Sequence, residues 1–301
     1  MSQLIELSVI IPTFNRPAKL AECLRALAGQ DYPADQFEVI VVDDGSELPV
    51  DALVLPCSDH MHITAARTTN TGPAAARNHG ARIARGRFLA FTDDDCAPGP
   101  GWLSALMAAL RSSPEALIGG GIRNALAENP FSVTSQIILD FVHDYSRSHP
   151  QSLRFFPSSN IALAGELFRQ IGGFNPYFRT SEDRDLCARW SDSGRSLVYA
   201  PEALVNHAND LRFGSFWRQH LGYGRGACRF YRAHRSRHPG RSTIRCGFYA
   251  ALLRQLPALI MRQRRHRPIL LFLMAVWQAA NLAGFLQEAF SATEVARRKK
   301  S

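Results

Sequence analysis

The stretch Phe88-Leu-Ala-Phe-Thr-Asp-Asp-Asp95 sets five residues of strand character directly before three consecutive carboxylates. A short unbroken apolar run is what a strand buried on both faces requires, and such strands belong to parallel sheets covered by helices. Ligands of open parallel sheets bind beyond the carboxyl ends of the strands, which is where these acids stand. Three adjacent acids can be a solvated turn. Delivered together by a buried strand they need a counter-ion, and neighbouring carboxylates suit a hard divalent cation.

The same design recurs outward from this point. Val39-Ile-Val-Val ends in Asp43-Asp-Gly-Ser46, and Leu7-Ser-Val-Ile-Ile-Pro12 leads into Thr13-Phe-Asn-Arg16. Leu20, Leu24 and Leu27 give residues 16–30 helical spacing, residues 61–65 are a short third strand, and Pro73 opens an alanine-rich helix to about Ala84. Trp102 to Leu110 reads as a further helix. Strands alternating with helices over the first 120 residues predict βαβ units and a mostly parallel sheet, hence an α/β fold. Further on, residues 131–143 are expected to be helical and 158–164 extended. A turn is expected at 172–176, a helix from Ser181 as N-cap to about Ser193 before Gly194, and a strand over 196–200. With no low-complexity linker, residues 1–210 read as one domain.

The polar clusters each allow two readings. Asp43 and Asp44 form either an Asx-type turn or acceptors for a nucleobase or ribose. Residues 70–80 make a tight turn into a helix of very small residues, able to lie close to the sheet and to hold Arg77 near the acids. That segment is neither a G-x-G-x-x-G fingerprint nor a P-loop, so neither a dinucleotide site nor an ATPase site is supported. Glu182, Asp183 and Asp185 open a helix, where acids stabilise the dipole by about 0.3–1 kcal/mol each, and Asp185 with Arg189 is an ordinary i,i+4 pair. Alternatively a carboxylate there is a general base. Its position at a helix N-terminus is expected to keep its pKa low, so that positioning matters more than basicity.

Taken in order, Val9-Ile-Ile-Pro-Thr-Phe-Asn-Arg16, Val41-Val-Asp-Asp-Gly-Ser46, the Asn70…Ala76-Arg-Asn78 segment, Phe91-Thr-Asp-Asp-Asp95 and Glu182-Asp-Arg-Asp-Leu186 resemble the family 2 glycosyltransferases of GT-A fold. The resemblance covers residues 7–230. It implies that Pro12, Thr13, Asn15, Asp43 and Asp44 hold the base and ribose of a nucleotide sugar, with Arg77 nearby. It places Asp93 at the ribose and the metal, and Asp95 on Mg²⁺ or Mn²⁺ at the diphosphate, with His207 a possible further ligand. Asp183 matches the family's base and Glu182 its neighbour, while 158–173 resembles the acceptor-side segment. The implied reaction is a single displacement with inversion, with a UDP-sugar as the expected donor. The processive-synthase signature Gln-x-x-Arg-Trp is absent, which favours adding one sugar. A sugar-1-phosphate nucleotidyltransferase is the alternative enzyme, but it usually shows a Gly-rich N-terminal loop with a downstream Lys, and residues 9–20 do not.

The net charge of +9 conceals two different bodies. Residues 1–210 hold 17 Lys/Arg against 24 Asp/Glu, a balance of −7, and residues 211–301 hold 18 against 2, a balance of +16. Between Asp210 and Glu288 there are 14 arginines and no carboxylate. This surplus fits nucleic acid or an anionic membrane. The 19 uncharged residues at 269–287 favour lipid, so a membrane surface and no nucleic acid is expected as partner.

The expected organisation is a catalytic domain over 1–210, with a nucleotide half at 1–125 and an acceptor half at 126–210. A basic aromatic extension over 211–245 and an apolar helical hairpin over 246–301 follow it. The basic stretches at 262–267 and 297–300 flank the apolar run on both sides, which disfavours a single crossing by the positive-inside tendency and favours helices lying in the membrane plane. The six cysteines lack zinc-like or C-x-x-C spacing, and the first residues lack a signal-peptide pattern. The catalytic body is therefore expected at the cytoplasmic face of a membrane, with a lipid-linked or cell-envelope glycan as acceptor.

Overall fold

The computed structural model describes residues 4–149, 153–239, 246–262 and 267–298. Residues 263–266, within the basic stretch 262–267, and residues 299–301, which take in the end of the basic stretch 297–300, lie outside these, as do residues 1–3. The chain divides into two compact units, Met1–Ala125 with Phe155–Ala208, and Leu126–Arg154 with Asn209–Ser301.

The first unit opens β1 (Leu7–Thr13), α1 (Pro17–Ala28), β2 (Phe37–Asp43), a short α2 (Asp51–Val54), β3 (His62–Arg67), α3 (Pro73–Ile83) and β4 (Phe88–Thr92). After β5 (Cys96–Pro98), α4 (Trp102–Ser112) and β6 (Leu117–Asn124), the second unit's α5 (Pro130–Ser148) intervenes. The first unit then resumes with β7 (Asn160–Ala164), α6 (Gly165–Gln170), α7 (Glu182–Asp192) and β8 (Leu197–His207).

Its strands form one eight-stranded sheet in the order β3-β2-β1-β4-β7-β6-β8-β5. Four pairings are parallel (β1 with β2 and β4, β2 with β3, β6 with β8), and β7 and β5 run antiparallel to their neighbours. This is the mixed, mostly parallel α/β architecture expected from the sequence. The apolar runs serve two cores at once. Leu7, Val9 and Ile11, with Val39, Val41 and Ala90, pack against α1 and α4, whereas Ile10, Ile40, Val42, Leu89 and Phe91 pack on the other face with α3 and α7. Gly80 lets α3 lie on that face, since a Cβ there would stand 2.6 Å from Ile10 Cγ2.

Three departures from the expected elements have local causes. β6 carries Gly119, Gly120 and Gly121, residues depleted in strands, so its sequence does not announce a strand. The structure needs them: a Cβ on Gly120 would meet the Ala203 carbonyl at 2.3 Å and the Asn160 amide at the same distance. Ser181 does not cap α7 through its side chain; it takes a left-handed conformation, φ +72°. The third departure is α5, assigned by sequence to the acceptor half at 126–210. It groups instead with the C-terminal helices, because Ile138, Phe141 and Tyr145 bury its apolar stripe there.

The second unit adds α8 (Phe213–Arg237), α9 (Cys246–Arg262) and α10 (Arg267–Arg298) to α5. Its core joins the α5 stripe to Phe216, Leu252, Met274 and Trp277.

Candidate functional site

Parallel register brings the ends of β1, β2 and β4 together. Thr13 pairs with Asp43 and Asp43 with Arg67, while β4 leads into Asp93-Asp94-Asp95. Beyond β1, Asn15 adopts φ +54°, a region Asn tolerates better than most residues. Its backbone N–H donates to Ser46 Oγ at 2.8 Å, and its side-chain oxygen accepts from the Glu47 N–H at 2.8 Å, tying the two loops into one rim. Pro12 and Thr13 are buried beneath that rim and Asn15 is exposed on it.

The two acids after β2 do different work. Asp44 accepts from Thr68 Oγ1 (2.7 Å), from the N–H groups of Thr71 (2.8 Å) and Gly72 (2.7 Å), and from Thr71 Oγ1 (3.2 Å). Both of its oxygens are therefore occupied in shaping the loop before α3. Asp43 accepts from Ser46 N–H at 2.8 Å and pairs with Arg67 at 2.9 Å.

In the acidic triplet, Asp94 faces inward and accepts from Thr13 Oγ1 at 2.7 Å. Burial pushes its pKa up to about 6, despite Arg16 nearby at 3.3 Å. Asp95 accepts from Arg16 at 3.1 Å and lies 3.3 Å from His207 Nε2. Burial pushes Asp95 upward, but His207 and Arg16 together outweigh it and hold the carboxyl below its usual range. Burial likewise works against the charged form of His207, and Asp95 overcomes it, so the imidazole pKa is raised. The antiparallel pairing of Cys96 with His207 is what delivers this histidine from the end of β8.

Donor atoms of Asp95, Cys96 and His207 lie within 4.8 Å of one another. The Cys96 thiol is buried and its pKa raised well above the usual value, which leaves it a poor ligand. A carboxylate and an imidazole beside two further acids suit Mg²⁺ or Mn²⁺. The residues fit such an ion.

Arg77, on α3, is the hub. Its guanidinium donates to Asp93 at 2.5 Å and to Glu182 at 3.1 Å, and it is buried with the Phe174 ring 5.5 Å away. The next residue, Asn78, exchanges hydrogen bonds with the Phe174 backbone at 2.7 and 2.9 Å, which fixes the turn leading toward α7. Ser158 Oγ also approaches Glu182, at 3.4 Å. Burial and the adjacent Asp183 push Glu182 well above the carboxylate range. Asp183 is half-buried, accepts from the Arg184 N–H at 2.7 Å, and has its pKa raised, chiefly by burial. The low pKa expected from a helix N-terminus is not found, because burial outweighs the lowering by Arg184 and Arg77.

Sequence reasoning gave no role to Arg16, Arg67, Thr68 or Thr71. Arg16 closes the Val9–Arg16 run, and its position opposite two acids was the available signal. Arg67 depends on the β2–β3 register, and Thr68 and Thr71 on the loop before α3, whose turn at residues 70–80 was read without these side chains. In the acceptor-side segment, Asn160 is fully engaged structurally. It accepts from Trp102 Nε1 at 2.8 Å and donates to the Gly121 and Ala203 carbonyls at 2.7 and 2.8 Å.

Residues 8–185 match the family model for glycosyl transferase family 2. A pre-mycofactocin glycosyltransferase of Mycobacterium tuberculosis is 31% identical over 227 residues, covering 74% of this chain. The chain spans 47% of that relative, about half its length. Glycosyltransferase AglE of Haloferax volcanii is 26% identical over 73% of this chain and 72% of its own. Among solved structures, the mannosyltransferase PcManGT of Pyrobaculum calidifontis, in complex with GDP-Man and Mn²⁺, superposes with a TM-score of 0.63 at 21% identity, covering 98% of this chain and 81% of its own. TarS 1–349 of S. aureus in complex with UDP-GlcNAc gives 0.55 at 18% identity, covering 96% and 92%. These two likenesses show a GT-A-like fold.

Proposed function

Because the chain belongs to glycosyl transferase family 2, we propose that it moves a single hexose from a nucleoside-diphosphate sugar to a hydroxyl of a lipid-linked or cell-envelope glycan. The reaction inverts the anomeric centre and depends on Mg²⁺ or Mn²⁺. The observation that carries this reading is the Asp93–Arg77–Glu182 bridge, which locks the acids after β4 to the start of α7.

In this reading the rim formed by Thr13, Asn15 and Asp43 cradles the base and ribose, and Asp44 holds the loop that backs them. Asp93 stands at the ribose. Asp95 and His207 would hold the divalent ion, which when bound would supply electrostatic stabilisation to a departing diphosphate. Asp183 accepts the proton of the acceptor hydroxyl, and its raised pKa makes it a better base at neutral pH than an exposed aspartate. Glu182, neutralised by Arg77, keeps α7 in place. The donor is a nucleotide sugar, a UDP-sugar by preference, and the protein works at the cytoplasmic face of a membrane, where its +16 segment meets anionic lipid.

The test is turnover of a panel of radiolabelled nucleotide sugars in membrane extract. Asp183→Asn is expected to lose transfer while retaining donor binding by calorimetry. Transfer within a few-fold of the parent would remove Asp183 from the base role.

A further inference from the structure

The helix long and apolar enough to cross a membrane, Arg267–Ser291, carries two unlike faces. One face packs against α8. A Cβ on Gly284 would stand 2.0 Å from the Leu221 carbonyl, and one on Gly224 would stand 2.0 Å from the Asn281 carbonyl, so the two backbones are in close approach. Phe213 stacks on Phe272, Arg225 bonds Gln287 at 2.7 Å, and Arg229 pairs with Glu288 at 2.9 Å. These contacts advance in the same direction along both helices, so α8 runs parallel to α10 from residue 213 to 229 against residues 272 to 288. Asn281, Gly284 and Glu288, which sequence spacing sets on one face, are thus the face given to α8.

The opposite face has no polar residue. Ala275, Ala279, Leu282, Leu286 and Phe290 are all exposed and fall within about 80° of the helix circumference at 100° per residue, and Phe272, stacked on Phe213 yet still exposed, stands at the edge where this face meets α8. The four large ones are between 43% and 68% exposed. The stripe covers 18 residue steps, or about 27 Å of helix.

We propose that this stripe is a membrane-docking surface on which α10 lies in the plane of an anionic leaflet instead of crossing it. If α10 spanned the bilayer over Arg267–Ser291, Arg218 would enter the hydrocarbon beside the middle of the span and Arg225 nearer its end. Glu288 is the one carboxylate in residues 211–291 and pairs with Arg229. Insertion of each uncompensated arginine at mid-bilayer is unfavourable by about 2.5–3.5 kcal/mol even on the mildest scale. Lying in-plane, the stripe enters the acyl boundary while the arginines stay at headgroup depth. Charge also decides between lipid and a second copy of the chain. Two segments of +16 repel each other face to face, whereas an anionic surface attracts them. The inference adds a geometry to the membrane partner proposed above, but its readout does not depend on catalysis.

The full chain, with Cys57 and Cys246 replaced by serine, is labelled with bimane at Phe272→Cys, Ala279→Cys or Leu286→Cys and mixed with phosphatidylcholine vesicles containing phosphatidylglycerol. Spin-labelled lipids then report depth. Equal, shallow depths at all three positions are expected, with binding lost at high salt and at least tenfold weaker in Leu282→Gln/Leu286→Gln. A mid-bilayer depth at Ala279 flanked by shallow ends would overturn the proposal in favour of a spanning helix. So would undiminished binding by the double variant, or a dimer that buries the stripe without vesicle binding. Metal-dependent hydrolysis of donor by the same double variant shows that the catalytic unit is folded, so a failure here is distinct from a failure of the transferase reading.

Discussion

Asp183 and Arg77 make opposite predictions from neighbouring positions. Asp183→Asn removes the proposed proton acceptor without leaving a charge stranded, so kcat should fall by about 10²–10⁴-fold with donor affinity preserved. Steady-state rates beside calorimetric donor binding check this. Arg77→Met instead strands Glu182 in a buried site, and breaking one partner of a buried pair destabilises by about 3–5 kcal/mol. Urea unfolding should therefore show a lower midpoint, partly restored by adding Glu182→Gln. Asp94 supplies a pH signature. Its pKa near 6 lies above the 3.8 of an ordinary aspartate, so the fold holds this proton more tightly than the unfolded chain. The contribution is full below pH 4 and is lost as pH rises through 6. A rise of about two pKa units amounts to about 3 kcal/mol. Relative to Asp94→Asn, the wild type in EDTA should lose stability by up to that amount between pH 4.5 and 7.5, measured by denaturant titration. At this scale, residue types and order were legible in the sequence. Their division of labour was not, because nothing in Asp43-Asp44 says that Asp44 is consumed by Thr68, Thr71 and Gly72.

Among the elements, the strands that feed two cores were readable because both faces are apolar, and Pro73 marked the start of α3 as a first-turn proline does. β6 was hidden. Its glycines answer a demand set by residues far away in sequence, the Asn160 side chain and the Ala203 carbonyl. Gly120→Ala is accordingly expected to displace Asn160 and loosen its bonds to Trp102 and Gly121. The destabilisation should be about 1–3 kcal/mol, as for other overpacked cores. A red shift in tryptophan fluorescence should accompany it as Trp102 loses burial. The Ser181 conformation was equally illegible: a serine before two acids reads as a cap, while the chain here turns through positive φ instead. Burial of Asp183 in α7's first turn then raises its pKa against the pull of Arg184 and Arg77, opposite to the low value expected from the sequence.

On the scale of the whole molecule, the charge split was legible from composition, and it separates residues 1–210, at −7, from residues 211–301, at +16. The assignment of α5 to the helical unit was not, because its amphipathic pattern names a buried face without naming its partner. The central claim concerns the acids that Arg77 and His207 gather at the ends of β4 and β8. The most direct measurement is transfer of labelled sugar from a panel of nucleotide sugars into membrane extract, with Mn²⁺ or with EDTA, by wild type and by Asp95→Asn. Transfer is expected from at least one donor with Mn²⁺, abolished by EDTA and reduced at least 100-fold by Asp95→Asn. Transfer that persists undiminished in EDTA, or in Asp95→Asn, would contradict it.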